Sequence, residues 1–189
     1  MGVRWLIAFL YFMLDWFIPR VGLPGKLFAL KQFVVPIFLI LVIILFGKTL
    51  IEEFKKLKWK EILLVIAVAM VLIVINNLLF SAESGTNAEK SVSWLYLLSA
   101  VTYGPFFEEM IFRYCIIPLS GSNLSKGITI IISAAFFSVV HGFSFSLSHF
   151  VFGIILGITY LLKKNIWYPI IVHYVNNLIA VGIILIYIS

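Results

Sequence analysis

Apolar residues fall along the chain in long blocks separated by short polar stretches. The blocks are Trp5–Ile18, Phe33–Ile51, Ile62–Phe80, Val92–Leu119, Ile128–His141, Leu147–Leu162 and Ile166–Ile188. Most approach the roughly 20 residues that an α-helix needs to cross a bilayer. None alternates polar and apolar positions with a period of two, the pattern of a transmembrane β-barrel. A helix satisfies its own backbone hydrogen bonds in lipid, so the pattern predicts an all-α, polytopic transmembrane bundle of six to seven spans. The number turns on the first block, which is short and interrupted by Asp15. It ends at Pro19-Arg20 without a small-residue cleavage pattern, so it reads as retained rather than as a removable leader. Between the blocks lie a charged segment from Lys48 to Glu61, a polar loop at 81–91, a turn over Gly121–Gly127 and a tight turn at Lys163-Lys164-Asn165. No internal repeat is visible. The expected organisation is a set of N-terminal transmembrane helices over 1–91 and a core over 92–189.

Composition supports the bilayer as solvent. Hydrophobic residues make up 63% of the chain and charged residues 12%, against about a quarter charged in soluble domains. The net charge is +6, but the basic residues sit in loops between apolar blocks, so nucleic acid is not an expected partner. With seven spans, Arg4, Lys48, Lys55, Lys56, Lys58, Lys60, Lys126, Lys163 and Lys164 share one side. Arg20, Lys26, Lys31 and Lys90 take the other. The richer side is expected to be cytoplasmic, with the N-terminus inside. If the first block does not cross, the N-terminus moves outside. The single cysteine, Cys115, lies in an apolar block and reads as a buried, inert thiol.

Ionisable residues inside the blocks are the candidates for chemistry, because a charge at membrane depth costs several kcal/mol unless paired or hydrated (about +2.5 to +3.5 kcal/mol on insertion scales). The fourth block holds Glu108, Glu109 and Arg113. Glu109 and Arg113 are spaced i,i+4 and can pair on one helix face. Glu108 points about 100° away and should face a polar cavity. Gly104-Pro105 just before it can open the backbone. The fifth block ends in Phe137-x-x-x-His141, and the last holds His173-x-x-x-Asn177, each pair sharing a helix face. An imidazole and an amide on one intramembrane face can bind a water, a metal or an oxyanion. His149 reads as a headgroup-level residue, with a second metal ligand as the alternative, and Asp15, Asn76 and Asn77 as helix–helix hydrogen-bonding groups.

In this order, Glu108-Glu109-x-x-x-Arg113, Phe137-x-x-x-His141 and His173-x-x-x-Asn177 resemble the three-motif signature of the CPBP family, which groups type II CAAX prenyl proteases with bacteriocin-processing and Abi-type proteins. Phe152-Gly153-Ile154-Ile155-Leu156-Gly157 resembles the family's glycine-bearing helix. Trp167-Tyr168-Pro169 resembles its approach to the last motif. The resemblance covers roughly residues 92–180.

It implies an intramembrane endopeptidase. Glu108 and His141 would activate water, and His173 and Asn177 would stabilise the oxyanion or help hold a metal. Glu109 is a further catalytic candidate, and Arg113 and Phe137 support the motifs. Alternatively, Glu108, His141 and His173 would bind one divalent metal such as zinc, which lowers the pKa of its water to about 7. No soluble His-Glu-x-x-His motif is present. Implied substrates are hydrophobic, prenylated or leader-bearing peptides or membrane proteins, in a bacterial cell membrane, with bacteriocin self-immunity or peptide maturation as roles. Two other classes stay open: a non-catalytic membrane scaffold or immunity protein that binds a partner, and a small proton-coupled transporter.

Overall fold

A computed structural model of the protein describes residues 2–14, 34–80, 94–142 and 145–188, and the regular elements among them are all helical. Asp15, Arg20, Lys26, Lys31, Lys90 and the 81–91 loop lie outside the described residues.

The short helix α1 (Gly2–Phe12) runs antiparallel to α2 (Val34–Phe54). Arg4 lies 5.8 Å from the Phe46 ring, and Tyr11 meets Phe38 edge-on at 5.7 Å. A four-residue turn leads into α3 (Trp59–Phe80). The charged segment expected between two blocks is thus mostly helical, since α2 runs on through Glu52 and Glu53, and α3 begins before Lys60 and Glu61. Large apolar side chains on both helices are exposed, Ile37, Ile44, Leu63, Val71 and Leu78 among them. In lipid such faces are solvated rather than stranded, which is why these helices are apolar all round.

The fourth block is not one helix. α4 (Trp94–Val101) stops at Thr102-Tyr103, and α5 (Gly104–Glu109) runs directly into a π-helical segment, Met110–Cys115. Pro105 has no N–H to continue the ladder of α4. Gly104 is required at the break, because a Cβ there would lie 2.8 Å from the Ser99 carbonyl. All six residues of the π segment are buried, which makes it the central element of the bundle. Such π-turns are frequent at functional sites. The Phe112 carbonyl within it accepts from Ser133 Oγ at 2.5 Å.

α6 (Asn123–Gly142) begins within the expected 121–127 turn and packs closely on α7 (Leu147–Lys163). The close approach depends on Gly153, whose missing Cβ would fall 2.9 Å from Ala134 Cα. Lys164 takes a left-handed conformation (φ 51°) and ends α7, giving the tight turn into α8 (Trp167–Ile188). That turn latches onto the α2–α3 turn. Glu53 accepts from the Ile166 N–H at 2.8 Å, and Asn165 Nδ2 and Trp167 Nε1 donate to the Glu53 and Leu50 carbonyls, each at 2.8 Å. Lys163 and Tyr168 reach Glu61 at 3.0 and 3.2 Å. The two lysine-bearing turns therefore lie at the same end of the bundle. By length and composition α2, α3, α6 and α8 can cross a membrane, and α1 and α7 are shorter apolar helices.

Candidate active site

The break before α5 sets Glu108 and Glu109 facing different ways. Glu109 is fully buried, and its Oε1 accepts from Arg113 Nη1 and from His173 Nδ1, each at 2.8 Å. Arg113, also fully buried, donates from Nη2 to the Gly153 carbonyl at 3.2 Å and lies 4.5 Å from the Phe137 ring. The buried charge is thus met by a carboxylate, a carbonyl and an aromatic face, as a low-dielectric interior demands.

Glu108 turns into a cavity of about 630 Å³ lined by residues from both halves of the chain. Its Oε2 faces His141 Nε2 at 3.2 Å and His173 Nε2 at 3.7 Å. The opposite ring nitrogens are committed. His141 Nδ1 lies 2.8 Å from the Phe137 carbonyl, which can only accept, so the proton is on Nδ1. His173 Nδ1 likewise donates to Glu109. With both rings neutral, three lone-pair atoms would confront one another. A proton held between Glu108 and His141 removes that conflict, and the facing groups are therefore suited to proton transfer.

Asn177, one helical turn beyond His173, donates from Nδ2 to the Ala100 carbonyl at 3.0 Å and lines the same cavity. Because that carbonyl accepts only, the amide orientation is fixed and its second N–H remains for another acceptor. The Tyr174 hydroxyl donates to the Thr102 carbonyl, so α8 holds the end of α4 and the break that follows it. Phe137 lies under the site, 4.1 Å from the His141 ring and 5.8 Å from that of His173. Glu108, Glu109, Arg113, Phe137, His141, His173 and Asn177 are thus gathered from the α5–π segment, α6 and α8.

Two further residues belong to this neighbourhood. His149 lines the cavity, and its ring stacks on His141 at 5.1 Å. Asn76 makes the expected helix–helix bonds, from Nδ2 to Ser148 O and Oγ at 3.1 and 3.2 Å, and also stands in the cavity wall. Among the described residues no three His, Cys, Asp or Glu side chains are grouped to hold a metal ion.

Fold and site together define a helical membrane protein with a carboxylate–imidazole centre inside its bundle. Residues 90–179 match the family model described as Type II CAAX prenyl endopeptidase Rce1-like, which supports the resemblance of the core to the CPBP family. The four long apolar helices indicate an integral membrane protein, and the match supports a CAAX-type protease at family level. No curated protein and no solved structure matches the chain.

Proposed function

We propose that the protein is an intramembrane endopeptidase in which Glu108 and His141 together activate a water molecule. The observation that carries this reading is the 3.2 Å approach of Glu108 Oε2 to His141 Nε2 in a polar cavity. The water oxygen attacks the peptide carbonyl carbon while its proton passes to the Glu108–His141 pair. The same pair then returns the proton to the departing amine. The oxyanion is met by Asn177 Nδ2 and, when its ring carries a second proton, by His173 Nε2. Glu109 and Arg113 act behind His173 and fix its ring. Residues 92–189 form the catalytic core in this reading, and the helices of 1–91 form part of the cavity wall.

The substrate class is a hydrophobic, prenylated or leader-bearing peptide or a membrane protein, delivered through the bilayer. Peptide maturation or bacteriocin self-immunity in a bacterial membrane is the corresponding role. The test is cleavage of a lipid-anchored and of a leader-bearing peptide by the purified protein in bilayer nanodiscs. Cleavage that disappears in Glu108→Ala at equal insertion supports the reading. Equal cleavage by both proteins, or none by either, counts against it.

A further inference from the structure

We propose that His149 is a positioning residue for His141, its imidazole stacked against the His141 ring so that Nε2 stays aimed at Glu108. The inference rests on the reading of Glu108 and His141 as the water-activating pair.

The geometry begins at the start of α7. Ser146 caps that helix, accepting from the His149 N–H at 3.3 Å, and its hydroxyl also contacts His149 Nδ1 at 2.9 Å. Ser146 is itself tied back to α6 twice. Its carbonyl accepts from Ser138 Oγ at 2.6 Å, and its N–H donates to the same oxygen at 2.8 Å. Ser138 lies one turn before His141 on α6. From the other side, Asn76 of α3 holds Ser148 through both its carbonyl and its hydroxyl. His149, though exposed, is thus held by Ser146, and its neighbour Ser148 by Asn76; the His149 ring lies against His141 at 5.1 Å with 24° between the planes.

Stacking on His141 is more than a headgroup-level histidine needs. It has a physical use, because His141 stands in the last turn of α6, where helix ends fray. Phe137 holds the ring through its carbonyl and its own ring at 4.1 Å, and Nε2 meets Glu108, so His149 supplies the contact from α7. A second ring stacked against it restricts the tilt that would swing Nε2 off Glu108. An error of about 1 Å in a reacting group costs up to about 100-fold in rate. Asn76 lies outside the segment that matches the family, so part of the support for the site comes from the N-terminal helices.

The test uses the full chain in nanodiscs and a fluorogenic peptide with an apolar anchor, alongside nitrogen NMR of ¹⁵N-labelled histidine. His149→Ala is expected to lower kcat by about 10- to 100-fold with KM unchanged, while His149→Phe, which keeps a ring, restores most of the rate. The His141 signals should change from one tautomer to a mixture in His149→Ala and stay single in His149→Phe. His149→Gln, polar but without a ring, replaces the alanine variant if that one does not insert. Unchanged kcat in the ringless variant, an equally slow His149→Phe, or unaltered His141 signals would each overturn the proposal. Glu108→Ala separates the two readings: if it cleaves normally, the assignment of the pair fails, and the NMR comparison still decides the stacking.

Discussion

His141 turns Nε2 to Glu108 at 3.2 Å while its Nδ1 is held at 2.8 Å by the Phe137 carbonyl. One ring thus joins the end of α6 to α5, and each nitrogen has a distinct task. If the two side chains act as one unit, their removal should not be additive. Glu108→Gln and His141→Ala should each reduce kcat by about 10²- to 10⁴-fold, the range for a positioned acid–base group. The double variant should be no slower than the slower single one. Rates of peptide cleavage at matched membrane levels check this, and multiplying losses would mean that the residues act separately.

The Glu109–Arg113 pair has a different signature. Both side chains are fully buried, and the ion pair is 2.8 Å long. Removing one partner strands the other charge, which costs about 3–5 kcal/mol. Glu109→Ala and Arg113→Ala should both lower thermal stability in detergent markedly, whereas Glu108→Gln should not. Replacing both together, as Glu109→Gln with Arg113→Met, should cost less than either alanine change. A normal melting temperature for Arg113→Ala would contradict the pairing.

Much of this was legible in the chain. The i,i+4 spacing of Glu109 and Arg113 foretold their bond, and the 100° offset foretold that Glu108 would face a cavity. The all-helical membrane fold followed from block length. What could not be read was tertiary. Gly104-Pro105 marked a place where the backbone could open, but not that three helical pieces would replace one. His149 read as an interfacial residue and is exposed at the start of α7, but its stacking on His141 leaves no periodic trace in the sequence. Asn76 pointed to a hydrogen bond between helices, but its partner, Ser148, lies far away in sequence. Glu53 and Glu61 looked like loop charges until the α7–α8 turn was placed over them.

Packing of α6 on α7 should be intolerant at one glycine and indifferent at another. A Cβ at Gly153 would meet the Ala134 backbone at 2.9 Å, and the Gly153 carbonyl also serves Arg113. Gly153→Ala should therefore destabilise by about 1–3 kcal/mol, as overpacking does, and should slow cleavage through the shifted arginine. At Gly182 an added Cβ meets nothing within 4 Å. Gly182→Ala should be neutral or slightly stabilising, since alanine is the better helix former. Melting curves of the two variants in one detergent make the comparison, and equal effects would show that the α6–α7 contact is looser than described.

Removal of divalent metal discriminates between two uses of the same side chains. Glu108 Oε2 lies 3.2 Å from His141 Nε2 and 3.7 Å from His173 Nε2, but the described residues form no group suited to hold a metal ion. A zinc centre needs donors converging at about 2.0–2.2 Å on one point, whereas these distances also suit a proton passed directly between carboxylate and imidazole. Cleavage should therefore persist after treatment with phenanthroline and dialysis against chelator. Were activity lost and then regained on adding one equivalent of zinc, Glu108, His141 and His173 would become ligands. In that case Glu108→Ala should lose the bound metal together with the activity, and metal analysis of the purified variant would establish it independently of any cleavage assay.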